Sequence, residues 1–178
     1  MNASDDEREM RVQAVWQRRP VERRRMHFVR ETHIQAEPNV VFAFHESPEA
    51  LAQLIPPWEK VRVASSDGSL KRGSQVILAG SLAFLPLRWV AIHYEYEPPA
   101  LFSDLQVSGP FAWWYHRHRF GCDPTGGTLL RDEIEYTLPL GALGRLVAGG
   151  LIRKKLERMF EYRHQKTSEL CSTTREGC

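Results

Sequence analysis

From Gly109 to Leu138 polar and apolar residues alternate with a period of two, broken once at Asp123-Pro124-Thr125-Gly126-Gly127. Alternation of this kind sends successive side chains to opposite faces of a strand. The stretch therefore predicts two long antiparallel strands joined by a short loop. One face of the first strand carries Ala112, Trp114, His116, His118 and Phe120, and the other carries Trp113, Tyr115, Arg117 and Arg119. On the second strand Leu130, Asp132, Ile134, Tyr136 and Leu138 share a face, against Leu129, Arg131, Glu133, Glu135 and Thr137. The charged faces belong in water, with Asp104 a cross-strand partner for Arg117. The inward faces are then apolar except for two histidines and an aspartate. A turn centred on Pro124 sets His116 opposite Asp132.

The rest of the chain has its own periods. His27 to Gln35 alternates as a strand. Pro38 suits the first turn of a short helix over Val40 to His45. Ser47 as cap and Pro48 at the first position predict a second, reaching Leu54 and ended by Pro56-Pro57. Strands follow at Glu59–Ala64, Gln75–Leu82, Leu87–Tyr96 and Leu101–Val107, with Gly80 marking a bulge or the close approach of a ligand. After Gly141 the period lengthens: Leu143, Leu146, Val147, Leu151, Leu156, Met159 and Phe160 recur at three or four residues. This predicts an amphipathic helix over Ala142–Leu170, weakened at Gly149-Gly150.

A chain of 178 residues, 42% hydrophobic and 26% charged, is long enough for one domain with a real core. Seven arginines and five acids fall in residues 1–25, leaving 17 basic and 17 acidic residues beyond them. The arm shows no apolar period. It is expected to be a weakly ordered extension contributing little to stability, followed by one domain at 26–170 and a frayed tail at 171–178. The charge-balanced domain lacks the electrostatic footprint of a nucleic-acid binder. Arg153-Lys154-Lys155 reads as the wet side of the helix, with transient membrane contact as its functional alternative. No run of about 18 apolar residues exists, and the N-terminus lacks the apolar core of a secretory signal. Three cysteines without a CxxC spacing point to free thiols in a reducing cytoplasm and against structural zinc.

Strand, two short helices, six strands and a long C-terminal helix make an α+β protein whose antiparallel sheet must be covered by that helix. The sequence resembles the helix-grip fold of the START and birch-pollen-allergen-like superfamily, which includes polyketide cyclases/dehydrases and coenzyme Q-binding proteins. It looks closest to a bacterial, cyclase/dehydrase-like branch. The resemblance is carried by Pro56-Pro57, Arg88-Trp89, Pro98-Pro99, Phe102-Ser103-Asp104, Gly109-Pro110-Phe111 and Trp114 to Phe120. Gly127-Thr128, Asp132, Tyr136, Pro139-Leu140-Gly141 and Phe160 to Arg163 complete it. It spans about Met26 to Leu170 and implies a curved sheet of six to seven strands gripping the helix around a hydrophobic cavity.

Within that cavity the expected ligand contacts are Trp114, His116, His118, Asp132 and Tyr136, with Trp89 and His93 beside them. His93 departs from the apolar residue expected there. The function expected is binding of one hydrophobic small molecule, such as a lipid, isoprenoid quinone or polyketide. A second reading is a cyclase or dehydratase, with His116 and Asp132 as the candidate acid–base pair. A third is a protein-interaction module with a filled core. His116 and His118 also have His-x-His ligand spacing, with Asp132 a third donor. Satisfaction within the core is the preferred reading, and no metal or cofactor is expected.

Overall fold

The computed structural model describes residues 3–82 and 85–172. Helix α1 (Ala3–Trp16) comes first, then a short 3-10 turn at Glu22–Arg24 and strand β1 (Met26–Ile34). Two short helices follow, α2 (Pro38–Glu46) and α3 (Ala50–Gln53). The strands β2 (Val61–Ser66), β3 (Gln75–Leu82), β4 (Leu85–Glu97), β5 (Leu101–Ser108), β6 (Trp113–Cys122) and β7 (Thr128–Thr137) lead into helix α4 (Gly141–Ser172). The seven strands form one antiparallel sheet in the order β1-β7-β6-β5-β4-β3-β2. Helix α4 lies against β1, β7 and α2. This is the expected α+β helix-grip arrangement, with seven strands.

The β6–β7 register differs from the expected one by two residues. Cys122 pairs with Thr128, so His118 faces Asp132 and His116 faces Ile134. Gly126 and Gly127 both take positive φ, which widens the loop to five residues and moves its centre to Thr125. Any side chain at Gly127 would meet the Ile34 carbonyl. Gly80 has a similar cause that involves no ligand: its missing Cβ makes room for the Lys60 carbonyl across the β2–β3 pair. Ser47 does not cap the second short helix; it closes α2 through its backbone N–H to the Phe44 carbonyl.

Within the N-terminal arm, Ala3–Trp16 form helix α1, which packs on the sheet. Val12 and Val15 are buried, and Trp16 stacks on Tyr94 with ring centres 4.6 Å apart and meets Tyr115 edge-on at 5.2 Å. One turn of spacing aligns Val12, Val15 and Trp16 on a single helix face. They cover Trp113 and Tyr115, the residues assigned to water from alternation alone. Salt bridges from Arg72 to Glu9 at 2.7 Å, and from Arg19 and Arg25 to Glu135 at 2.8 and 2.5 Å, tie the arm to the sheet.

Helix α4 buries Gly149, Leu156, Phe160, His164, Thr167 and Cys171, a stripe repeating at three or four residues. Cys171 is packed into the core; residues 173–178 of the expected tail lie outside the described residues. The apolar residues of the first turns do not join the stripe. Leu140, Leu143, Leu146, Val147 and Leu151 all face solvent.

Candidate functional site

The inward faces of β5, β6 and β7 place Asp104, His116, His118 and Asp132 together, beneath His164 of α4 and His45 of α2. Asp132 is the hub. Its Oδ1 accepts a hydrogen bond from His116 Nε2 at 2.7 Å, and its Oδ2 accepts one from His164 Nε2 at 2.6 Å. His118 Nδ1 also lies 2.7 Å from Oδ1, at an angle that leaves this nitrogen without a hydrogen bond. Thr32 Oγ1 stands 2.8 Å from His164 Nδ1 and fixes the other edge of that ring.

At the opposite edge of the two β6 imidazoles the contacts are looser. Asp104 Oδ2 is 3.5 Å from His116 Nδ1 and 3.9 Å from His118 Nε2. Both distances exceed a normal hydrogen bond. Asp104 was assigned outward, to Arg117; it points inward because it pairs with His116 in the β5–β6 register. Arg117 instead bonds Glu95 at 3.1 Å on the outer face, where Tyr115 donates its hydroxyl to the same carboxylate.

The charges follow from these contacts. Burial works against the Asp132 carboxylate, but the imidazoles of His118, His116 and His164 hold it well below the usual carboxylate range. Burial likewise opposes the Asp104 charge, and His116 and His118 again outweigh it. Burial alone would depress His116, yet Asp104 and Asp132 at its two nitrogens raise it above its ordinary value. Burial, then the adjacent His116, pushes His118 down to about 3. Burial also lowers His45 and His93. The cluster thus raises His116 between its two carboxylates and lowers His118, His45 and His93 around it.

The other expected contacts sit nearby. His93 is buried opposite Asp104, and its Nδ1 has no hydrogen-bond partner. Trp114 and Tyr136 are buried with Phe28, Leu156 and Phe160, and Trp89 meets Trp114 edge-on at 5.0 Å. Phe160 stands edge-on to His116 at 5.2 Å, and Phe102 stacks on His118 at 4.1 Å. These side chains pack against one another between sheet and helix. A cleft of about 720 Å³ opens elsewhere, between Arg18 and Arg24 on one side and the start of α4 on the other. None of the expected contacts lines it, although Met26 and Leu138 of its wall also pack on the Trp114–Tyr136 cluster.

Asp104 and His164 carried sequence signals that hairpin alternation alone misses. Asp104 is two residues from Phe102 on one strand face. His164 follows Phe160 by four residues, the spacing that shares a helix face.

A seven-stranded antiparallel sheet gripping a long C-terminal helix is the fold of the START-like class. The family model for polyketide cyclase / dehydrase and lipid transport matches residues 34–160, and the chain belongs to that family. Among solved structures, the fold is similar to the Zhui aromatase/cyclase of a Streptomyces species, with TM-score 0.62 and 18% identity over 83% of this chain and 94% of that one. A START superfamily protein from Mycobacterium smegmatis gives TM-score 0.62 and 13% identity over 83% and 98%. Norcoclaurine synthase from Thalictrum flavum gives 0.62 and 12% over 85% and 91%. No curated protein matches the sequence.

Proposed function

We propose that the protein binds one hydrophobic small molecule carrying an oxygen function, with its apolar body among Trp114, Tyr136 and Phe160 and its polar end at His116 and Asp104. The observation that supports this is a buried charge cluster with idle donors and acceptors set against an aromatic layer. A core built only for stability satisfies its polar groups. Here Asp104 makes no hydrogen bond of normal length to either histidine, and His93 Nδ1 has no partner. A ligand carbonyl or hydroxyl is the group that such a cluster lacks.

Entry is assigned to the cleft. Met26 and Leu138 separate it from the aromatic layer by one layer of side chains. Displacing them and bending α4 at Gly149-Gly150 would open the path; an interior glycine pair is where a helix bends at least cost. The exposed leucines of residues 140–151, beside Arg145, Arg153 and Lys154, fit transient contact with an anionic bilayer that delivers the ligand. Titration with a fluorescent apolar probe tests the reading. Saturable binding of one probe per chain, weakened at least tenfold in Leu138→Trp, is expected. No saturable binding would leave the protein as a filled-core interaction module.

A second reading is favoured by His116 alone. Raised above its ordinary value between two carboxylates, it can donate a hydrogen bond and a proton to a ligand carbonyl, while Asp104, whose oxygens make no hydrogen bond of normal length to either histidine, takes the α-proton, as enolisation before cyclisation or dehydration requires. Asp132 does not suit the general-base role, because its oxygens are engaged by His116 and His164 and it is held strongly ionised. It positions the histidines. Exchange of α-protons of a β-diketone into deuterated water, lost in His116→Gln, would support the enzyme; exchange equal to buffer would reject it.

A further inference from the structure

The two edges of the His116–His118 pair are unequal. At one edge Asp132 Oδ1 sits 2.7 Å from both rings. At the other, Asp104 Oδ2 faces His116 Nδ1 at 3.5 Å and His118 Nε2 at 3.9 Å, and each of the three residues offers a ligand atom within 4.8 Å of the other two. We propose that these three atoms form a binding site for a divalent metal ion of the zinc class, with its fourth position open. The proposal does not rest on the hydrophobic-ligand reading, since the metal alone is the probe.

Three arguments carry it. A tetrahedral zinc ion with bonds near 2.0–2.1 Å needs its ligand atoms about 3.4 Å apart. The Asp104–His116 gap of 3.5 Å already meets this, and the Asp104–His118 gap of 3.9 Å needs a shift of a few tenths of an ångström. Two imidazoles and one carboxylate are a common donor set for such ions. The far nitrogens are placed as metal-bound histidines require, because Asp132 accepts from His116 Nε2 and lies against His118 Nδ1. A carboxylate behind a ligating histidine fixes its tautomer and orientation. The third donor weighed from the sequence was Asp132; its place behind the rings makes it the supporting carboxylate, and Asp104 the ligand.

The Asp104 edge is the less enclosed of the two. Asp104 and His118 keep 16% and 12% of their side chains exposed, against 5% for Asp132. A water or a ligand oxygen would complete the coordination from that side.

The test uses chelator-stripped full-length protein, with zinc titrated against a competing indicator and cobalt(II) as the optical probe. The expected result is one zinc per chain with submicromolar affinity, and the intense visible bands of tetrahedral cobalt(II). Asp104→Ala and His118→Ala should weaken zinc binding by more than about 100-fold, and Asp132→Asn by about 10- to 100-fold. His27→Ala and Cys122→Ser, both at exposed positions, should leave it unchanged. Asp104→Asn keeps the shape of the side chain and serves if an alanine variant does not fold. Absence of tight zinc binding by the wild type, an octahedral cobalt spectrum, or binding that survives Asp104→Asn and His118→Ala would each overturn the proposal. Loss of probe binding with zinc binding intact would count against the hydrophobic-ligand reading only.

Discussion

Asp104 and His116 stand directly opposite each other on β5 and β6, yet their nearest polar atoms remain 3.5 Å apart, while the same histidine meets Asp132 at 2.7 Å. One imidazole thus joins a closed polar contact to an open one. The closed side is structural; the open side is where function is assigned.

Stability should separate the two aspartates. Asp132→Asn puts an amide against His116, His118 and His164, and breaking a buried ion pair costs about 3–5 kcal/mol. Asp104→Asn also removes a buried carboxylate beside His116 but breaks no contact shorter than 3.5 Å, and should cost less, about 1–2 kcal/mol. Urea unfolding of the two variants measures the difference. Equal losses would contradict the division. The double variant His116→Ala with Asp132→Asn should cost less than the sum of the singles, and strict additivity would mean that the pair does not interact.

Acid should destabilise the protein. Burial keeps His45, His93 and His118 below their ordinary value, so they are neutral when folded but protonate in the unfolded chain near pH 6.5. Below that pH the unfolded state binds more protons, and each such histidine removes up to about 1.4 kcal/mol per pH unit. His116 has the opposite sign: its raised value adds stability that is lost as pH rises through it. Three groups oppose one, so urea midpoints should fall from pH 7 to pH 5, with a shallower slope in His45→Phe. Midpoints that rise toward pH 5 would contradict the burial of neutral histidines.

The N-terminal helix should matter. Full burial of an apolar side chain contributes about 1.5–3 kcal/mol, and Val12 and Val15 are both buried against the sheet. Deleting residues 1–25 should lower Tm by on the order of 10 °C and expose Trp113 to quenchers. An unchanged Tm would mean that α1 does not hold its place in solution.

The exposed leucines predict a phenotype without a folding defect. Leu146→Glu with Val147→Glu changes two solvent-facing residues and should leave Tm within about 1–2 °C, because surface substitutions rarely move stability by more than about 0.5 kcal/mol. Co-flotation with anionic phosphatidylserine vesicles should fall at least fivefold. Flotation equal to wild type would remove the membrane from the account.

Much of the fold was legible because it is written in local periods. The strand alternation from Trp113 to Leu138 put His116, His118, Asp132 and Tyr136 on one face, and they share it. Register was not legible, since two glycines at positive φ decide the loop and a single sequence does not reveal their conformation. Helix α1 was missed because Val12, Val15 and Trp16 are three apolar residues among charges; they matter only once the sheet supplies Trp113 and Tyr115 beneath them. The same tertiary cover explains Asp104. Charge suggested water, while its strand pairing turned it inward to His116. Leu143, Leu146, Val147 and Leu151 erred in the other direction: their helical period is real, but they remain exposed on the first turns of α4.

The central claim is that this interior holds a ligand and is not merely a packed core. Native mass spectrometry of the protein, purified without denaturant and then offered an organic extract of its host cells, tests it most directly. The account predicts one small organic molecule per chain in the wild type, released by solvent and absent from Leu138→Trp. A bare chain mass before and after the extract, or an adduct that persists in Leu138→Trp at full occupancy, would contradict it.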